Sequence, residues 1–153
     1  MSSLRPFVSI AFVALLAAAA RAQSGCTVNG ITTSDFGSSC GQLALTFDAS
    51  SCQLVATITP GSAMSIDFLL VGMEQSVPLD LPSPPFPAGC KLLVAGAPIP
   101  LVDHAITVPP IPQLVGQSVD LQGVSLSIQI PPTIPPTSLF NLTTTQGVHL
   151  TFN

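Results

Sequence analysis

The sequence predicts an all-β protein, an antiparallel β-sandwich of about eight strands, immunoglobulin-like or jelly-roll-like. Apolar and polar residues alternate in short runs separated by proline, glycine and small polar residues, as in half-buried strands joined by turns. Beyond residue 22, no stretch of about eleven residues keeps the i, i+3, i+4 spacing of an amphipathic helix. These observations favour a sandwich over a βα fold, and a partly closed β-barrel is the alternative.

The longest alternating run covers residues 119–130, and we expect a long central strand there. Its apolar residues move from odd to even positions at Gly123. A bulge at Gly123, with this glycine at positive φ, would bring every apolar side chain of the run to one core. Those side chains are Val119, Leu121, Val124, Leu126, Ile128 and Ile130. The polar residues between them would face away: Asp120, Gln122, Ser125, Ser127 and Gln129. A strand break at Gly123 is the alternative.

The N-terminus has the parts of a secretory signal peptide. Arg5 supplies a positive charge, residues 7–20 are almost wholly apolar, and Ala20-Arg21-Ala22 forms an A-x-A cleavage site. As a helix the apolar run spans roughly 21 Å, too short for the ~30 Å hydrocarbon core of a bilayer. We therefore predict that residues 1–22 are a signal peptide and that the mature chain, from Gln23, is secreted or held in the cell envelope.

The mature chain is acidic and has a single basic residue. Because Arg5 and Arg21 leave with the signal, Lys91 faces seven carboxylates, and one cation against seven anions gives a formal net charge of −6. One cation cannot neutralise a nucleic-acid backbone or an anionic lipid surface. We expect no nucleic-acid partner and no membrane span after signal removal, and homotypic or other cell-surface protein contacts as the possible interactions.

The cysteines predict disulfides. An even number in an exported chain is typical of a disulfide framework, here two bridges among Cys26, Cys40, Cys52 and Cys90. No C-x-x-C pair or Cys–His cluster indicates a metal site. Three connectivities are possible, and spacing alone does not choose between them. A lipid-modified Cys26 is an alternative, although Gln23 stands where a lipobox has leucine or a similar residue.

The first part of the mature chain differs from the rest. Residues 23–41 are small and polar, with a turn signal at Asn29-Gly30. We predict a loop-rich arm there, pinned by Cys26 and Cys40. Residues 42–153 form the single β-sandwich domain.

Within that domain the predicted strands follow in order, and prolines mark the connections. The strands are 43–47, 53–59, 64–72, 91–95, 105–108, 119–130, a short one around 140–142, and 148–152. The first two are expected to form a hairpin. Residues 77–89 contain five prolines and are predicted to be a crossover loop. Turns are expected at 97–100 and 146–147, and a polyproline-like link at 131–137.

Four segments carry a resemblance. They are F-G-S-S-C-G (36–41), P-L-D-L…F-P-A-G-C-K-L-L-V (78–94), P-I-P-Q-L-V-G-Q-S-V-D-L-Q-G (110–123) and T-Q-G-V-H-L-T-F-N (145–153). The chain resembles an uncharacterised family of secreted, β-rich bacterial modules, often found at the C-terminus of larger exported proteins. The resemblance implies that Cys40 pairs with Cys90, leaving Cys26 for Cys52, and it implies no activity. The chain departs from the family in its extra N-terminal cysteines and in its proline-rich 131–136 link.

Residues suited to catalysis are few. On a strand, Asp103 and His104 would point to opposite faces, so they cannot pair, and His104 is expected to be a strand-end residue. His149 should face water. Residues 116–120 lack the second glycine of a nucleophile elbow. No D-x-D-x-D-G loop indicates a Ca²⁺ site. We therefore single out no catalytic, cofactor-binding or metal-binding residue.

The expected function is that of a non-catalytic structural or assembly module of the cell surface. The chain has no Trp and no Tyr, the side chains on which sugars usually stack. An extracellular module that binds a glycan or a protein is the first alternative. A small secreted hydrolase is the second.

Overall fold

The computed structural model describes residues 26–59, 65–83, 85–128 and 140–153. Its strands are β1 (Ile31–Phe36), β2 (Gln42–Asp48), β3 (Gln53–Thr59), β4 (Ser65–Asp80), β5 (Lys91–Pro100), β6 (Ala105–Thr107), β7 (Ser118–Ile128) and β8 (Phe140–Phe152), with a 3₁₀ turn at Pro112–Leu114. The large sheet has five strands in the order β1-β8-β7-β4-β5, and the small sheet has three in the order β2-β3-β6. All pairings between these strands are antiparallel.

One apolar core lies between the two sheets. The small sheet supplies residues such as Leu54, Ala56 and Ile58, whereas Leu69 and Leu150 come from the large sheet. The predicted antiparallel β-sandwich is therefore confirmed, and the described strands do not close into a barrel.

The predicted hairpin of β2 and β3 is present, in register from Gln42 opposite Thr59 to Asp48 opposite Gln53. Its turn is organised by the Asp48 carboxylate. The Ser50 main-chain N–H and hydroxyl donate to Oδ1 (2.9 and 2.6 Å), and the Ser51 hydroxyl donates to Oδ2 (2.7 Å). These hydrogen bonds, that of the Ser50 hydroxyl first, lower the pKa of Asp48 from 3.8 to about 2.

Two expectations based on proline are wrong in part. β4 continues through Pro78 to Asp80, into the predicted loop, and β5 includes Pro98 and Pro100, where a turn was expected. β5 is an edge strand, where a missing N–H need not interrupt a ladder. Pro78 lies where the pairing of β4 with β5 shifts register, between Glu74 and Leu79.

The register shift predicted for β7 lies on β8 instead. Gln122 is opposite Gly147 and Val124 is opposite Thr144, so two β8 residues face Gly123 alone. The extra residue is therefore a bulge in β8, within one continuous strand where a turn at 146–147 was expected. Gly123 is not among the described glycines that have positive φ. The prediction of a bulge in β7 at Gly123 and the prediction of a positive φ at this glycine are both wrong.

The predicted loop-rich arm contains a strand. β1 pairs with β8 over six residue pairs and forms one edge of the large sheet. Its sequence, I-T-T-S-D-F, is mostly polar and its residues are largely exposed, so it shows no buried face in the pattern. Gly147 permits the close approach of the two strands, because a Cβ there would come within 2.2 Å of the Phe36 ring.

Some sequence expectations fall on other parts of the chain. The signal peptide, the polyproline-like link at 131–137, Gln129 and Ile130 lie outside the described residues.

Candidate interaction face

β7 carries apolar side chains on both of its faces. They lie on the inner face in the first half of the strand and on the outer face in the second half. β4 and β7 pair over eight residue pairs without a register shift, so side chains alternate strictly along this part of β7. Val119 and Leu121 pack in the core between the sheets. Val124, Leu126 and Ile128 have the opposite parity and lie on the outer face of the large sheet. The prediction that all of them share one core is wrong, because β7 has no extra residue to change the phase.

Neighbouring strands extend this outer apolar surface. Pairing places apolar side chains directly opposite one another: Phe68 and Val124, Ile66 and Leu126, Leu126 and Leu142, Ile128 and Phe140. We name the group the outer apolar band, and it comprises Ile66, Phe68, Leu70, Val124, Leu126, Ile128, Phe140 and Leu142. Ile66, Ile128 and Phe140 are 54%, 43% and 49% exposed. The other members are partly covered.

Next to the band, the outer face is covered by the start of β5. Gln122 is completely buried there. Its Oε1 accepts hydrogen bonds from the main-chain N–H groups of Leu93 (2.9 Å) and Val94 (3.3 Å). Its Nε2 donates to the carbonyl oxygens of Lys91 and Thr145, both at 2.8 Å. The Gln122 amide therefore holds the first residues of β5 over the sheet, with its hydrogen-bonding capacity used.

Two disulfides fix this arrangement to the rest of the molecule. Cys40 is bonded to Cys90, and Cys26 to Cys52. This is the pairing that the family resemblance implies. The first bridge joins the segment after β1 to the residue before β5, beside the buried Gln122. The two bridges are compatible with an extracellular protein.

A polar cluster lies at the other end of the outer face. The His149 imidazole has Nδ1 at the Asp120 carboxylate and Nε2 3.8 Å from the Glu74 carboxylate, and the Phe36 ring stacks on it at 4.3 Å. Glu74 also donates its main-chain N–H to Asp120 (2.6 Å). His149 faces outward, as expected. Because the two carboxylates lie at different nitrogens of the ring, they do not converge with the imidazole on one point, and no group of metal ligands occurs among the described residues.

The other histidine belongs to a turn rather than to a strand end. Asp103 and His104 both have positive φ (52° and 60°) in a tight turn closed by the Ala105 N–H and the Val102 carbonyl oxygen (3.0 Å). Both residue types tolerate this conformation better than most. His104 Nδ1 lies 3.3 Å from Oδ2 of Asp67, whose side chain is 5% exposed against 64% for the histidine.

This histidine does not complete a nucleophilic triad. Ser125 donates its hydroxyl to Oδ1 of Asp67 (2.7 Å), so the carboxylate lies between the serine and His104. In a serine triad the imidazole occupies the middle position instead. An open depression of about 440 Å³ adjoins the pair, lined by Ser65, Ile66, Leu101 and Asp103 as well. The sequence offered no signal for this cluster, because its members come from distant strands.

Segment 116–120, which the sequence compares with a nucleophile elbow, begins with a turn at Gly116. Gly116 has a φ of +80° and its N–H donates to the Phe152 carbonyl oxygen (2.7 Å). The Ser118 hydroxyl lies 2.7 Å from that of Thr151. Segment 116–120 is therefore the entry to β7 rather than a nucleophile turn.

Comparisons with known proteins leave the family open. No family model, curated protein or solved structure matches the chain. The resemblance to secreted bacterial modules therefore stays a prediction. In the described residues, no helix has the length and apolarity needed to cross a membrane.

Proposed function

We propose that the chain is a secreted or cell-surface structural module that assembles through contacts between its own copies and has no catalytic activity. The observation that supports this proposal is the outer apolar band. Three of its large side chains, Ile66, Ile128 and Phe140, are about half exposed in one continuous patch. Contiguous exposed apolar surface of this kind usually marks an interaction site.

The driving force for covering the band is hydrophobic. Fully burying a large apolar side chain contributes about 1.5–3 kcal/mol, so covering the exposed half of each of these three contributes on the order of 1 kcal/mol. The partly covered residues around them add smaller amounts. A face-to-face contact of two such bands buries each of these side chains in both copies.

A second copy can cover the band without bringing like charges together. The expected mature chain has a formal net charge of −6 and a single cation, so most of its surface repels another copy. The band contains no charged side chain. Two copies related by a twofold axis would place band against band, and the same residues would serve on both sides.

Sedimentation velocity over a range of concentrations tests this proposal. We expect the average mass of the mature chain to rise with concentration. The double variant Ile66→Ser/Ile128→Ser should shift this rise to higher concentration, because both side chains are exposed and their loss removes contact area without opening the core.

Val115→Ser is the matched control, because Val115 is 46% exposed and lies outside the band, before β7. The control should associate like the unmodified chain. A chain that stays monomeric throughout, or a control that is impaired as much as the double variant, would contradict the proposal.

A further inference from the structure

In the part of the chain that the structure describes, the two sheets have four edge strands, and three of them are protected against strand addition. β5 carries Lys91, Pro98 and Pro100, and β6 has three residues. β1 is mostly polar and carries Asp35. β2, with the sequence Q-L-A-L-T-F-D, has no proline, no glycine and no charge before its last residue. Long, uncharged edge strands are the ones that accept a further strand.

The main-chain groups at the free edge of β2 can be identified from one contact. The Leu43 N–H donates to Oε1 of Gln146 (2.9 Å), and the Leu43 carbonyl oxygen accepts from Nε2 (3.0 Å). Leu43 therefore directs its main chain away from β3. Since this direction alternates along an antiparallel strand, Leu45 and Phe47 direct theirs the same way.

The edge of β2 is thus occupied at one end and open at the other. The side-chain amide of Gln146 takes the place of a partner strand at Leu43. Among the described residues, none is hydrogen-bonded to the outward main-chain groups of Leu45 or Phe47. These groups are the ones that an added strand would use.

We infer that the open edge of β2 pairs antiparallel with the same edge of a second copy, with Thr46 on the twofold axis. This inference rests on the proposed homotypic assembly and adds a second contact to the one made by the outer apolar band. Leu45 of each copy then exchanges both main-chain hydrogen bonds with Phe47 of the other. The sheet that results has six strands, three from each copy.

The side chains favour this register over its neighbours. Leu45 and Phe47 both pack toward the core, so the pairing continues the apolar inner face across the junction. Thr46 meets Thr46 of the second copy on the outer face, a favourable cross-strand pair. A shift by one residue would set apolar inner positions against polar outer ones. With Leu45 on the axis, Leu43 would have to give up its bonds to Gln146.

Disulfide trapping tests the register directly. Thr46 is exposed and its partner in this geometry is a non-hydrogen-bonded pair, with Cα atoms about 4.5 Å apart, within the range of a disulfide. We expect the Thr46→Cys variant of the mature chain, oxidised mildly, to form a disulfide-linked dimer on a non-reducing gel.

Two variants serve as controls. Ala44→Cys lies on the same strand and face, but in this register its two copies are roughly 13 Å apart, at ~3.3 Å per residue along the strand. Thr57→Cys is exposed on the same face of β3, inside the sheet. Neither should form the dimer. Trapping of Thr46→Cys no stronger than that of Thr57→Cys, or equal trapping of Ala44→Cys, would overturn the inference.

The edge and the band can fail separately. Trapping of Thr46→Cys should persist when Ile66→Ser/Ile128→Ser is added, since the edge lies in the small sheet and the band in the large one. Suppose that Thr46→Cys is trapped and that Ile66→Ser/Ile128→Ser associates like the unmodified chain in sedimentation velocity. These results would support the contact through the β2 edge and contradict the contact through the outer apolar band. If Thr46→Cys is not trapped and Ile66→Ser/Ile128→Ser associates more weakly, the inference about the β2 edge is overturned and the proposed function stays in place.

Discussion

The two halves of β7 place their apolar side chains on opposite faces. In the first half Leu121 reaches the core between the sheets, whereas in the second half Leu126 and Ile128 lie on the outer face. A change of phase in an alternating pattern therefore has two solutions. A bulge keeps one apolar face, and an uninterrupted strand creates a second one.

The inner positions of the second half explain which solution this chain uses. Gly123 has no side chain, and a Cβ there would lie 2.9 Å from Ile58 and Thr145 atoms. Ser125 is buried and hydrogen-bonded to the buried Asp67. On the inner face of this half, a glycine thus lies where neighbouring side chains leave no space, and a serine lies beside a buried carboxylate. The apolar residues of this half are directed outward.

The largest expected effect is the difference in stability between two leucine-to-alanine variants, one on each face of β7. Leu121→Ala leaves a cavity in the core and should lower the free energy of unfolding by about 2–5 kcal/mol. Leu126→Ala removes atoms from a partly covered outer position, and its cost should be about 1 kcal/mol or less. Urea unfolding at low protein concentration measures both. Equal losses would contradict the two-face arrangement and favour a single core.

Ser125 gives the next largest effect. Ser125→Ala deprives the buried Asp67 carboxylate of a donor and should cost about 1–3 kcal/mol. Ser118→Ala removes an exposed hydroxyl of the same strand and should stay within about 0.5 kcal/mol. Thermal unfolding of the two variants tests the pair. Near-neutral behaviour of Ser125→Ala would support the sequence prediction that this residue faces away from the core.

Substitutions at Gly123 test why a glycine is needed there. The reason is either the lack of space for a side chain or a backbone conformation that other residues rarely adopt. Gly123→Ala overpacks the contact with Ile58 and should cost about 1–3 kcal/mol. Adding Ile58→Val removes one of the atoms that the new Cβ meets, so the double variant should lose less than the two single variants together. Strictly additive losses would point instead to a conformational requirement at the glycine, as a bulge would impose.

The smallest effect lies in the β2–β3 turn, a region where sequence prediction and structure agree. The Asp48 pKa of about 2 is lower than its ordinary value of 3.8, so the turn's contribution to stability is complete above pH 3.8 and is lost as pH falls through 2. NMR titration should show this midpoint, and Ser50→Ala should raise it toward 3.8. An unchanged midpoint would mean that the Ser50 hydroxyl does not hold the carboxylate.

The sequence predicts the fold class well because two of its signals are local. They are the alternation of apolar and polar residues in strands and the proline and glycine residues of the connections. The β2–β3 hairpin and the region of β7 are found from their own residues. Strand β1 is missed because its polar residues lie at an edge, where nothing forces an apolar face. Pro98 and Pro100 mislead for the same reason, since an edge strand accommodates them.

The outer face could not be derived from local pattern. The phase change at Gly123 is visible in the sequence, but the choice between a bulge and a second face depends on β8, which carries the extra residue at Thr145-Gln146. The clusters of Asp67 with His104 and of Asp120 with His149 join distant strands. Their members can be found only when the pairing of the strands is known.

The most direct measurement is hydroxyl-radical footprinting of the mature chain at low and high concentration. Labelling of Ile66, Ile128 and Phe140 should fall as concentration rises, because these side chains are exposed in one copy and covered between two. Val115, with similar exposure outside the outer apolar band, should be labelled equally at both concentrations. Unchanged labelling of all four residues, or a fall confined to Val115, would contradict the assignment of the band as the contact between copies.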